Sequence, residues 1–126
     1  MIRPLFILAL TMTACQADET TTYDADIVWV LTALNDAPPK SQVTLTFPKQ
    51  GKIAGKAPCN RYFGTQTKPY PWFETGPIAS TKMACPNLNE EINYLQTLNK
   101  ATSAKVTKTT LILSNDAGAL LTYKRQ

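Results

Sequence analysis

The stretch Ala57-Pro58-Cys59-Asn60-Arg61-Tyr62-Phe63-Gly64, read together with Ser80-Thr81-Lys82-Met83-Ala84-Cys85-Pro86, decides how this chain closes. It holds two of the three cysteines. The third, Cys15, ends a leader and is set aside as a processing residue, which leaves Cys59 and Cys85 as natural disulfide partners. Such a bridge places the domain in an oxidising compartment. In the chain-entropy account a loop of this length adds roughly 3.5 kcal/mol, less any strain. The two cysteines are too widely spaced for a Cys-x-x-Cys redox pair. Alone they cannot make a tetrahedral metal site either.

Upstream of the first motif the pattern is β. Ile27 to Leu34 is rich in β-formers and reads as a buried strand, broken by Asn35-Asp36-Ala37-Pro38-Pro39. Val43, Leu45 and Phe47 alternate onto one face of a second strand. Pro48 to Gly51 turns the chain, and Lys52 to Ala57 returns as a hairpin arm. Gly55 marks a bulge or a close backbone approach. Between the motifs, Asn60 to Gly76 reads as irregular, with Pro69-Tyr70-Pro71-Trp72-Phe73 extended and polyproline-like. Ile78 to Thr81 is a short strand leading into Cys85.

Downstream, one helix is predicted, with Asn87 as N-cap and Glu90 in a capping-box position. Leu88, Ile92, Leu95 and Leu98 or Asn99 share its apolar stripe. Ala104–Thr107, Thr110–Ser114 and Ala119–Lys124 close the chain as a meander, with Asn115-Asp116-Ala117-Gly118 as a hairpin turn. Strands, one helix and strands again argue an α+β fold, a mostly antiparallel, barrel-like curled sheet packed with one α-helix.

The N-terminus reads as a lipoprotein signal, with an ordinary secretory peptide cut nearby, leaving Cys15 free or removed, as the competing reading. Arg3 supplies the charge, Leu5 to Leu10 a short apolar run, and Thr11-Met12-Thr13-Ala14 the small residues before Cys15. The apolar run falls far short of a membrane span of roughly 20 residues. The organisation expected is a signal peptide over 1–14, a lipidated tether over 15–24 with the lipid on Cys15, and one domain over 25–126. In a Gram-negative envelope, Gln16 rather than Asp after the lipidated cysteine makes the periplasmic face of the outer membrane the expected location.

Composition narrows the chemistry. The formal charge is +4 with no histidine. The cations are scattered rather than gathered into the basic stripe that nucleic acid requires, so no nucleic-acid partner is expected. Without histidine, Ser-His-Asp and Cys-His nucleophile systems are excluded as usually built. His-containing zinc sites are excluded too. Asp36 and Asp116 sit in turns and Glu90 and Glu91 at the helix start, while Glu74 follows the aromatic segment where it could line a cleft but has no evident partner, so no acid–base pair is evident. No catalytic residue, metal or cofactor is expected. Aromatics held by prolines make low-entropy contacts. Arg61 and Lys82 flank the two cysteines and would come together on disulfide formation. The candidate binding surface is therefore Asn60, Arg61, Tyr62, Tyr70, Trp72 and Lys82.

From Asp26 to Tyr123 the chain resembles the META domain family. The likeness rests on Trp29-Val30-Leu31 and on Leu45-x-Phe47 followed by Gly51. It continues through Cys59-Asn60-x-Tyr62-x-Gly64 and Thr81-x-Met83-Ala84-Cys85. Glu91 ahead of Tyr94-Leu95, then Leu111-x-Leu113 and Leu121-x-Tyr123, complete it. The family often carries Gly before its first cysteine, where this chain has Pro58. The resemblance implies one helix against a curled sheet, and roles in envelope stress and drug tolerance rather than catalysis. It carries over no catalytic residues. The expected function is a non-catalytic envelope lipoprotein that is held to the membrane by its lipid and binds another envelope protein or a small ligand. Two alternatives stand beside it. One is a periplasmic inhibitor of a hydrolase such as lysozyme or a protease. The other is a lipid-binding or pilot lipoprotein with an apolar cavity inside its sheet.

Overall fold

A computed structural model describes residues 19–20 and 22–126. The signal peptide, Cys15 and Gln16 lie outside the described residues. The elements are β1 (Glu19–Thr20), β2 (Trp29–Leu34), β3 (Thr44–Leu45), β4 (Lys52–Lys56), β5 (Arg61–Thr65), β6 (Ala79–Ser80), α1 (Leu88–Lys100), β7 (Ser103–Thr107), β8 (Thr110–Asn115) and β9 (Gly118–Arg125). One sheet has the order β1-β7-β8-β9-β2-β3 and the other β4-β5-β6, and the pairings within both are antiparallel. Reciprocal bonds between Thr46 and Ala54, 2.7 and 3.0 Å, carry the first sheet into the second. The result is a curled, unclosed sheet with one helix, as the pattern of elements requires.

The alternation read from the sequence is the alternation that is buried. Val43, Leu45 and Phe47 face inward, as do Ala104 and Val106 of β7, Leu111 and Leu113 of β8, and Leu121 and Tyr123 of β9. The turns follow local chemistry. Asn35 and Asp36 both take positive φ, 48° and 67°, and Leu34 and Ala37 exchange two backbone bonds across them. That is the primed turn whose twist matches antiparallel strands, at residue types that tolerate it. At the β8–β9 turn Asn115 Oδ1 accepts from the Ala117 amide at 2.9 Å, and Gly118 supplies a φ of 124°.

Gly55 is a close approach. A Cβ there would overlap the Thr44 carbonyl oxygen and would lie 2.8 Å from the Tyr62 hydroxyl.

Four sequence expectations change. The stretch after Asn60 is not all irregular, because β5 is the central strand of the second sheet. Arg61-Tyr62-Phe63-Gly64-Thr65 conceals this, since only Tyr62 points into the core. The Pro69–Phe73 segment is a turn rather than a polyproline run. Its Tyr70–Pro71 bond is cis, and the Trp72 amide donates to the Pro69 carbonyl at 2.8 Å.

The helix buries Glu91, Tyr94, Thr97 and Leu98, while Ile92 is 52% exposed. Positions 91, 94 and 98 have the same period as the expected stripe but are rotated by about one position, so that Leu98 is shared, Leu95 is half-buried against the core and Ile92 turns outward. Finally, the capping box does not form. Asn87 makes no side-chain cap; its amide donates to Ser41 Oγ and the Pro58 carbonyl. The Glu90 carboxylate accepts instead from the Lys40 and Ser41 amides at 2.9 and 3.2 Å. Loop amides that would otherwise lack partners take the carboxylate from the helix's own first turn.

Part of the expected tether also joins the domain. β1 pairs with β7, and Tyr23 stacks on Phe47 with ring centroids 4.6 Å apart.

Candidate functional site

The two cysteine motifs meet. Cys59 and Cys85 are bridged, with Cα atoms 5.9 Å apart. Directly behind the bridge lies a closed polar cluster. One Glu91 carboxylate oxygen accepts from the backbone amides of Cys59 (3.1 Å) and Asn60 (2.6 Å), and the other from Asn60 Nδ2 (2.8 Å). Asn60 Oδ1 in turn accepts from Thr81 Oγ1 at 3.0 Å and the Met83 amide at 2.7 Å. Glu91 thus holds the Cys59 end of the disulfide loop directly, and the Asn60 side chain ties that end to Thr81 and Met83 ahead of Cys85. Burial alone would raise the Glu91 carboxyl. The Asn60 side-chain bond, the two backbone bonds and the nearby Lys82 charge outweigh burial and hold it below its ordinary value.

Deeper in the core, three phenols form a chain. Tyr62 bonds Tyr94 and Tyr94 bonds Tyr123, each at 2.8 Å, and Tyr62 donates to the Thr44 carbonyl at 2.7 Å. Burial first, and the neighbouring phenols second, push all three well above the ordinary tyrosine value. These hydroxyls join the helix to both sheets. The space inside the curled sheet that a lipid carrier would need is filled by Trp29, Tyr62, Tyr94, Phe73 and Tyr123.

The expected binding surface therefore divides. Asn60 and Tyr62 are not surface residues; both are buried because their polar atoms complete the networks just described. Arg61 and Lys82 are exposed at one end of β5, where the Arg61 carbonyl accepts from the Thr81 amide. Tyr70 and Trp72 lie past the other end of that strand, about 13 Å of β-chain away.

Around Trp72 the backbone is pinned. The Trp72 carbonyl accepts from Tyr23 Oη at 2.8 Å, the Phe73 amide donates to the Thr102 carbonyl at 3.1 Å, and the Ala104 amide donates to the Pro71 carbonyl at 2.8 Å. Tyr70 Oη accepts from the Val106 amide at 3.1 Å. The Trp72 side chain remains 60% exposed on this fixed frame.

Beside the same loop opens a cleft of about 760 Å³, walled by Tyr23, Phe47 and Tyr70 and flanked by Lys49 and Lys68. Sequence reasoning missed it. Its walls come from positions far apart in the chain, and Tyr23 falls within the expected tether over 15–24. Among the described residues no group of His, Cys, Asp and Glu could hold a metal ion, and no helix is long and apolar enough to cross a membrane.

The META domain model matches residues 24–126. An NMR structure of a protein from Burkholderia xenovorans is similar over 90% of this chain and 96% of its own, with TM-score 0.62 and 24% identity, a likeness of fold. A second NMR structure matches 79% of this chain and 89% of its own, with TM-score 0.61 and 27% identity. No curated protein matches the chain. The bridged cysteine motifs, the helix set against a curled sheet and the match over 24–126 lead to one conclusion: the chain belongs to the META domain family.

Proposed function

We propose that this protein is a non-catalytic binding module of the bacterial cell envelope. A lipid on Cys15 would hold it at the periplasmic face of the outer membrane. It would support stress or drug tolerance by engaging another envelope component. The observation that carries the reading is Trp72, a large aromatic left 60% exposed on backbone bonded on one side to β7 and on the other to Thr102 and Tyr23. An anchor already immobilised loses little entropy on binding, and such aromatics dominate contact energy. The buried phenols and Glu91, by contrast, have their hydrogen bonds consumed within the fold, which leaves little for acid–base work.

The same protruding loop favours a second reading, a hydrolase inhibitor whose loop enters a cleft. One assay separates the two. Trp29 is buried and Trp72 is not, so a change in tryptophan emission reports the loop. The module reading predicts a saturable blue shift with purified sacculi or outer-membrane vesicles, absent in Trp72→Ala. The inhibitor reading predicts it with lysozyme or a periplasmic protease, together with loss of hydrolysis. Unchanged emission with all of these, or full binding by Trp72→Ala, sinks both.

A further inference from the structure

The cleft beside the loop has a chemical character of its own. Tyr23 forms its central wall, with its ring stacked on Phe47 at an interplanar angle of 20° and edge-on to Tyr70 at 72°. These are flat faces on an open cleft rather than an aliphatic tunnel. Its volume, about 760 Å³, lies in the range of small-molecule sites. Among the described residues its lining includes Lys49 and Lys68 and no carboxylate. Asp24, next to the lining residue Ala25, accepts from the Asp26 amide at 2.9 Å within its own turn. Lys68 pairs with Glu74 at 3.6 Å, but both side chains are more than half exposed, so the pair is weak and an incoming anion can replace it.

The wall carrying Lys68 is preorganised. Gln66 is buried; its Oε1 accepts from the Lys68 amide at 2.8 Å and the Glu74 amide at 3.3 Å, and its Nε2 donates to the Lys68 carbonyl at 3.1 Å. The rim is polar, with Gln50 and Thr67 at the mouth.

We propose that this cleft binds an anionic sugar, one or two rings bearing a carboxylate or phosphate, with a ring's apolar face laid on one of the two nearly perpendicular walls, Tyr23 or Tyr70, and the charge set at Lys49 and Lys68. A pyranose has an apolar C–H face for the aromatic wall and a hydroxyl edge for the rim and its water. An acyl chain in so open a cleft would leave methylenes in water and forfeit its binding energy. The inference rests on the binding-module reading and adds a site whose lining does not include Trp72.

The test is an amide NMR titration of the full protein with N-acetylmuramic acid, glucose-1-phosphate, neutral N-acetylglucosamine and octanoate. The expected result is saturable shifts at the Gly51, Thr67, Lys68 and Tyr70 amides with at least one charged sugar. Which one binds identifies a carboxylate or a phosphate source. The neutral sugar and octanoate bind at least about tenfold more weakly. Lys49→Glu weakens the charged sugar by about the same factor. Gln50→Trp, at the exposed mouth, removes binding, and unchanged amide shifts elsewhere show that each variant is folded. Trp72→Ala leaves sugar binding intact, so failure of the loop reading and failure of this one are distinguishable. No saturable shift with either charged sugar, equal affinity for the neutral sugar or octanoate, or binding that survives Gln50→Trp overturns the proposal.

Discussion

Glu91→Gln tests the polar cluster behind the disulfide. The carboxylate accepts three bonds, at 3.1, 2.6 and 2.8 Å, from donors that have little other recourse. Glutamine can keep Oε1 against the two backbone amides. Its Nε2 then faces Asn60 Nδ2, so a donor meets a donor. One charge-assisted bond is lost and two donors face each other in its place, with Asn60 Nδ2 keeping only a long bond of 3.4 Å to the Met83 carbonyl, a cost of about 2–3 kcal/mol. Glu91→Ala strands the Cys59 and Asn60 backbone amides and leaves Asn60 Nδ2 only its long bond to the Met83 carbonyl, and costs about 4 kcal/mol, a large share of the stability of a small domain.

The pH dependence gives the sharper reading. The folded carboxyl sits below its ordinary value of 4.5. The unfolded state therefore binds its proton first as pH falls, and the stability from Glu91 is fully present above 4.5. It is lost as pH drops from there through the folded value. Urea unfolding of wild type and Glu91→Gln across this window should show the difference between them shrinking towards acid. A difference under about 0.5 kcal/mol at neutral pH, or one that stays constant into acid, would refute the account of the cluster.

Other expectations follow the same networks. Reduction of Cys59–Cys85, or Cys59→Ser with Cys85→Ser, should lower unfolding free energy by roughly 3.5 kcal/mol in denaturant titrations. Tyr62, Tyr94 and Tyr123 should stay protonated in the folded protein past the ordinary tyrosine value of 10.0. Their raised values mean stability is complete below 10.0 and falls as pH rises beyond it, so tyrosinate absorbance should appear together with loss of the far-ultraviolet β signal. Gly55→Ala drives a methyl into the Thr44 carbonyl and should destabilise by about 2 kcal/mol or more in thermal melts. Gly118→Ala meets open space but a φ of 124°, so its cost, about 1 kcal/mol, is backbone strain alone.

What the sequence determined by itself was whatever depends on neighbours in the chain. The closing meander was legible because Leu111, Leu113, Leu121 and Tyr123 alternate around an Asn-Asp-Ala-Gly turn, and period and turn chemistry are local. The inward row Val43, Leu45, Phe47 was legible for the same reason, and the Cys59–Cys85 bridge from the arithmetic of three cysteines.

Tertiary structure decided where polar groups go. Ile92 looks like core and Glu91 like surface until a partner exists. The amides of Cys59 and Asn60 are that partner, and they turn the helix so that Glu91 and Tyr94 face inward. Asn60 and Tyr62 looked like binding residues because they are polar and aromatic, yet their polar atoms are what the core had to satisfy. The cleft of Tyr23, Phe47 and Tyr70 shows in the sequence through Tyr70 alone, singled out as a binding residue. Its walls meet only when the chain on either side of β2 and beyond β5 is brought to one end of the sheet. Apolar periodicity acts within a segment, whereas the demand that every buried donor find an acceptor acts between segments.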